Sequence, residues 1–262
     1  MTDDHDAFRQ AGRAEIRAQG EDPALRAATQ AWMALSTRHR YSYHFEWLGR
    51  PVIQHPQDIL AIQQLVWEIR PDLIVETGIA RGGSLVLAAS LLELVAACGG
   101  NPDAEVLGID VALRAHNRRA LEAHPLSRRI RLLEGSSTDP HVVAEVGRRA
   151  AGAGAVLVLL DSDHTHDHVL AELLAYAPLV SPGSYCVVFD TIVADLPEGS
   201  FPDRAWSRQS NPRSAVEAFL ARAEGGEIRA ADGAAARFVP DAEIDARLLI
   251  SVAQGGFLRR TA

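Results

Sequence analysis

From Pro71 onward, short apolar runs alternate with amphipathic stretches, and the runs are apolar on both faces. A strand that offers neither face to water must sit in a sheet covered by helices on both sides. Regular strand–helix–strand punctuation makes such a sheet mainly parallel. The spacing predicts strands over 73–76, 106–110, 130–133, 155–161 and 184–190, and helices over 84–97, 114–123, 140–150 and 169–177. After a loop rich in Pro and Gly over 191–212 come a predicted helix over 213–223, a weak strand near 237–239 and a last strand over 248–253. The expected fold is a doubly wound α/β sandwich.

Residues 1–70 read differently. Ala and charged residues dominate as far as Leu35, and Ile59, Ile62, Leu65, Val66 and Ile69 recur at helical spacing. Between these stretches lies an aromatic patch, Tyr41, Tyr43, Phe45 and Trp47, suited either to packing on the main domain or to walling a ligand site. The 262 residues divide into a helical extension or lid (1–70) and one larger domain (71–262).

Charge narrows the partners. Lys and Arg number 26 against 34 Asp and Glu, a net charge of −8, which repels phosphate backbones and argues against nucleic acid. Cys98 and Cys186 each lie in an apolar run and read as reduced core residues. The N-terminus is acidic, and no apolar run approaches the roughly 18 residues of a membrane span. A cytoplasmic protein without membrane contact is expected, and the exposed extension makes a homo-oligomer plausible.

An open parallel sheet binds ligands at the carboxyl ends of its strands. Four of the first five predicted strands end there in an acid: Glu76, Asp110, Asp161 and Asp190. The first strand joins its helix through a glycine turn, Glu76-Thr77-Gly78-Ile79-Ala80-Arg81-Gly82-Gly83-Ser84. Glycines permit a tight turn, and the helix start offers free N–H groups. No Gly-Lys-Ser/Thr follows, so it is not a P-loop. Ala80 stands where a strict dinucleotide fingerprint has its second Gly. Asp110 is placed to accept from ribose hydroxyls, with Glu76 and the turn (Gly78, Arg81, Gly82, Ser84) holding an amino-acid portion. That arrangement suits S-adenosyl-L-methionine better than a dinucleotide. Ser136 and Ser137, after the third strand, would flank the adenine or simply cap the next helix.

The glycine turn, Gly108-Ile109-Asp110 and Leu160-Asp161-Ser162-Asp163-His164-Thr165-His166-Asp167-His168-Val169 resemble the cephalosporin hydroxylase/rhamnosyl O-methyltransferase family. The stretch from Trp47 to Asp58 is similar to the segment that leads into that family's first strand. The resemblance covers roughly residues 45–190 well and the remainder loosely. It implies a class I methyltransferase fold with a seven-stranded sheet, S-adenosyl-L-methionine and often a divalent metal. Implied substrates are small-molecule sugar hydroxyls, on a nucleotide-activated deoxysugar such as TDP-rhamnose or on a glycosylated natural product such as an antibiotic.

In that fold the fourth and fifth strands are neighbours, about 4.8 Å apart. Asp161 and Asp190 would then face each other and bind a hard cation such as Mg2+, chelated also by sugar oxygens. Relatives usually carry Glu-Asp or Asp-Asp where this chain has Phe189-Asp190, so water, substrate or Asp163 would complete the shell. Asp161 and His164 are the candidate catalytic residues, His164 as general base or substrate ligand. His166 and His168 are expected to cap or pack at the following helix. A zinc hydrolase is disfavoured because His164-Thr165-His166-Asp167-His168 falls one residue short of H-x-H-x-D-H. In the loop, Trp206 could stack on a base or sugar, and Arg204, Arg208 and Arg213 could pair with a pyrophosphate. The alternatives are a hydroxylase of the same fold and a non-catalytic cofactor-binding partner.

Overall fold

The computed structural model describes residues 4–230 and 233–262. Seven strands form one sheet in the order β5-β4-β3-β6-β7-β9-β8. They are β3 (Leu73–Thr77), β4 (Glu105–Asp110), β5 (Ile130–Glu134), β6 (Val156–Leu160), β7 (Tyr185–Val188), β8 (Phe238–Pro240) and β9 (Phe257–Arg260). β3 to β7 run parallel, whereas β9 runs antiparallel to both β7 and β8. Every residue of β3, β6 and β7 is buried, as a strand covered on both faces requires.

One core layer joins Ile74, Val106, Leu157 and Val187 to α3 (Pro56–Ile69) and α4 (Gly83–Ala97). The other joins Val75, Leu107, Val158 and Cys186 to α6 (Pro140–Ala150), α7 (His166–Tyr176) and α8 (Pro212–Glu224). Between β4 and β5 lies α5 (Ala115–Glu122). Local chemistry starts several of these helices. Asp139 accepts from the His141 N–H at 2.7 Å ahead of Pro140, and Asn211 with Ser214 forms a capping box ahead of Pro212. The order of the chain reverses between β3 and β6, so the ligand crevice of an open α/β sheet is placed beyond their carboxyl ends.

The extension supplies α1 (Asp4–Glu21), α2 (Pro23–Arg38) and α3, but it is not helical throughout. Phe45–Trp47 (β1) and Arg50–Val52 (β2) pair as a small antiparallel hairpin in what reads as a helical stretch with an aromatic patch. The final strand also differs from expectation. Residues 248–253 finish α9 (Ala242–Leu248) and continue as a buried loop, and the pairing strand lies further on, at Phe257–Arg260. That apolar run packs into the core without pairing: Val252 donates its N–H to the buried Asp58 carboxylate at 3.1 Å. Cys98 is exposed just past α4, contrary to its core reading, while Cys186 is buried. No helix among the described residues is long and apolar enough to cross a membrane.

Candidate active site

The turn after β3 is pressed against the end of β6. Gly78 has φ +86°, and a Cβ there would lie 2.0 Å from the Asp161 carbonyl oxygen, so only glycine lets the two strand ends approach this closely. Ala80 also sits in the left-handed region, at φ +45°. An alanine in that well costs on the order of 1 kcal/mol, and here it is held from both sides. Its N–H points to Asp110 Oδ2 at 3.3 Å, and its carbonyl accepts from Asn117 at 2.8 Å.

A cavity of about 610 Å³ opens beyond these strand ends, within the range of small-molecule sites. Gly78, Arg81, Ser84, Asp161, His164 and Asp190 all border it. Glu76 lies beneath the turn, only 2% exposed; Ser84 donates to its Oε1, while Oε2 is buried without a partner. Burial raises the Glu76 carboxyl to about 7 despite that hydrogen bond.

Asp161 follows β6 directly, and Asp190 lies two residues past β7, itself left-handed at φ +54°. One ligand atom each from Asp161, His164 and Asp190 lies within 4.8 Å of the other two. His164 Nε2 meets Asp190 Oδ2 at 3.0 Å. Burial works against charge on this pair, but mutual attraction outweighs it. His164 is therefore shifted up and Asp190 down from their ordinary values. Among the described residues, Asp161 makes no ion pair of its own. Burial first, then the Asp190 and Glu76 carboxylates, push it well above the usual carboxylate range, and one hydrogen bond from Gln54 Nε2 at 3.0 Å only partly offsets this. Two carboxylates and an imidazole converging on one point can hold a hard divalent cation, whose charge would relieve the Asp161 penalty. Phe189 is buried in the core and adds no oxygen, and Asp163 turns its Oδ1 to Thr165 at 2.8 and 2.6 Å.

Other anticipated residues lie elsewhere. Both Asp110 oxygens accept backbone N–H groups, from Ile79 at 3.0 Å and Ala112 at 3.0 Å, so Asp110 braces the glycine turn. Ser136 pairs with Thr138 at 3.0 Å, and Ser137 with His168 at 3.1 Å. Neither serine borders the cavity. His166 packs on α8 through Ser214 at 2.8 Å.

The loop over 191–212 and the extension form the upper walls. Trp206 stands edge-on to His164, ring centroids 4.8 Å apart, and Arg204 lies over Trp206 at 4.9 Å. Arg213 instead pairs with Asp195 at 2.7 and 2.8 Å, and Arg208 reaches the Ala194 carbonyl at 3.3 Å. From the aromatic patch, Tyr41 and Tyr43 border the cavity, whereas Trp47 donates to Ser90 on α4 at 2.9 Å.

Gln54 and the buried Glu172 were not anticipated. Glu172 accepts from Ser162 at 2.7 Å and meets His168 at 3.4 Å beneath the Asp161 turn. Gln54 lies in the Trp47–Asp58 stretch, where the recurring segment was the available signal. Glu172 sits amid helical apolar periodicity and gives none.

A sequence model described as Rhamnosyl O-methyltransferase/CmcI matches residues 39–261. The chain is 34% identical over 141 residues to a rhamnosyl O-methyltransferase of Mycobacterium tuberculosis, covering 53% of this chain and 54% of that protein. The Mycobacterium leprae protein of the same name is 29% identical over 148 residues, covering 55% and 59%. The chain thus spans little more than half the length of the curated relatives it matches. Among solved structures, a CmcI structure with Mg and SAM aligns with a TM-score of 0.53 at 20% identity, covering 84% of this chain and 78% of that one. An apo CmcI structure gives 0.53 at 19%, covering 84% and 77%.

Proposed function

The chain belongs to the rhamnosyl O-methyltransferase/CmcI family, and from that premise we propose that it is an S-adenosyl-L-methionine-dependent O-methyltransferase acting on a sugar hydroxyl. The observation that carries this reading is the convergence of Asp161, His164 and Asp190 on the cavity that the glycine turn also lines. S-adenosyl-L-methionine would bring an activated methyl group there. The buried Glu76 carboxylate, with its unmet oxygen, suits the donor's ammonium group, and the Gly78–Ser84 turn suits its carboxylate. A divalent cation such as Mg2+, held by Asp161 and Asp190, would lower the acceptor hydroxyl's pKa. A CmcI structure is described with Mg and SAM, which supports both assignments.

His164 acts as base. Its Nε2 faces Asp190, which orients the ring and stabilises the cation formed when Nδ1 takes the hydroxyl proton. Positioning in the walled cavity supplies most of the rate.

Arg38, Arg40 and Arg204 also border the cavity, and none has an acid or hydrogen-bond acceptor among the described residues. Arginines without an acidic partner, on a chain of net charge −8, favour an acceptor carrying a diphosphate, such as TDP-rhamnose or a related nucleotide-activated deoxysugar of antibiotic assembly. Exposed Phe8, Leu35, Leu60 and Trp67 on the extension support a homo-oligomer, which light scattering after size exclusion would test. The deciding experiment incubates the protein with methyl-labelled S-adenosyl-L-methionine, Mg2+ and TDP-rhamnose. Label in the sugar, lost with EDTA, is the expected result; a protein that fails to bind S-adenosylhomocysteine overturns the reading.

A further inference from the structure

His55 occupies the N-cap of α3, a position where Ser, Thr, Asp or Asn normally satisfies free helix N–H groups, yet its side chain makes no capping bond. The ring is turned into the cavity instead. It is 4% exposed, and both nitrogens are buried without a hydrogen-bond partner. Trp32 and Tyr41 hold it there, with ring centroids 5.9 and 5.6 Å away. Its neighbour Gln54 is 6% exposed and borders the same cavity; Nε2 binds Asp161 while Oε1 is buried and unmet. On the facing loop, the Trp206 Nε1–H is likewise buried and unmet.

Buried polar groups are nearly always satisfied, so a cluster of unmet ones facing a cavity marks where ligand polar atoms belong. Burial lowers the His55 pKa against a smaller opposing pull from Asp190, keeping the ring neutral with one donor and one acceptor nitrogen. The cluster therefore offers both donors and acceptors without charge, which matches vicinal hydroxyls and not a phosphate. We propose that Gln54 and His55 form the hydroxyl-recognition subsite of the acceptor, gripping sugar hydroxyls beside the one that reacts. This rests on the methyltransferase reading and adds specificity residues to it. Gln54 does double duty, since the amide that reads the sugar also orients the Asp161 carboxylate.

The test uses His55→Phe, which keeps the ring packing on Trp32 and Tyr41 but removes both nitrogens. With TDP-rhamnose as probe, its KM should rise about tenfold, the value of one to two lost hydrogen bonds. The KM for S-adenosyl-L-methionine should stay unchanged, and the unliganded Tm should hold or rise, because unmet buried nitrogens are gone. An unchanged sugar KM, an equal loss for the methyl donor, or a fall in Tm without a change in KM would each overturn the subsite. If the variant does not fold, the wild-type protein loaded with S-adenosylhomocysteine is titrated with methyl α-L-rhamnoside. The His55 ring nitrogen resonances should then move; static resonances overturn the proposal. Failure of the wild type to bind S-adenosylhomocysteine at all would instead overturn the underlying function.

Discussion

The two ends of β3 carry acids treated in opposite ways. At the amino end, Asp72 is fully engaged: Asn101 Nδ2 donates at 2.7 Å, and the Gly154 and Ala155 N–H groups donate at 2.8 and 3.1 Å. At the carboxyl end, Glu76 keeps a buried, unmet oxygen, and Asp161 is crowded by other carboxylates. The amino edge invests its polar groups in holding the fold together. The carboxyl edge leaves one Glu76 oxygen unmet and sets Asp161 among other carboxylates, at a cost in stability that a ligand or cation would recover.

Substitution at the two edges should separate these roles. Asp161→Asn is expected to lower turnover by about a thousandfold or more while leaving donor binding largely intact, since removing a base or metal ligand typically costs about 10²–10⁴. Methyl-transfer assays with calorimetry would show it, and EDTA should slow the wild type but not the variant further. His164→Ala should cost about a hundredfold or more. The wild-type rate should rise with pH as His164 loses its proton, through a pKa shifted up from its ordinary value, and the variant should lack that limb. Retention of the limb would exclude His164 as the base.

Asp72→Ala should do the reverse. Leaving its three donors unmet costs about 2 kcal/mol, roughly 4–8 °C in Tm, with turnover per folded molecule unchanged. The smallest effect concerns Glu76. Its folded pKa of about 7 lies above the ordinary value of 4.5, so folding favours the protonated form. Stability is then fully present below pH 4.5 and lost as pH rises through about 7. Glu76→Gln should flatten that slope and raise the Tm of the unliganded protein above pH 7. A scan of Tm against pH compares the two proteins directly.

Much of this architecture is legible in residue pattern. The doubly apolar runs locate β3 to β7, and Asp161 and Asp190, the acids past β6 and β7, mark the cavity floor. Three features escape for physical reasons. The β1–β2 hairpin turns through Leu48 and Gly49, at φ +45° and +81°. Leucine there hides a turn that Asn or Asp would advertise. The run over 248–253 has strand chemistry, but its amide at Val252 is taken by Asp58, so hydrophobicity serves packing while pairing falls to Phe257–Arg260. Asp110 sits where a ribose ligand is expected, yet its oxygens face the amides of the glycine turn, a choice set by the conformation of Ala80 and invisible in spacing.

The hairpin also meets that turn. Arg50 reaches the Arg81 carbonyl at 3.0 Å and Asn117 Oδ1 at 2.9 Å, and a Cβ on Gly83 would lie 2.1 Å from the Pro51 carbonyl oxygen. The leading segment is thus keyed into the glycine turn like a wedge under a latch. Grafting another family member's leader onto this body, or trimming it to shrink the protein, would disturb the glycine turn together with the cavity wall that Arg40, Gln54 and His55 build.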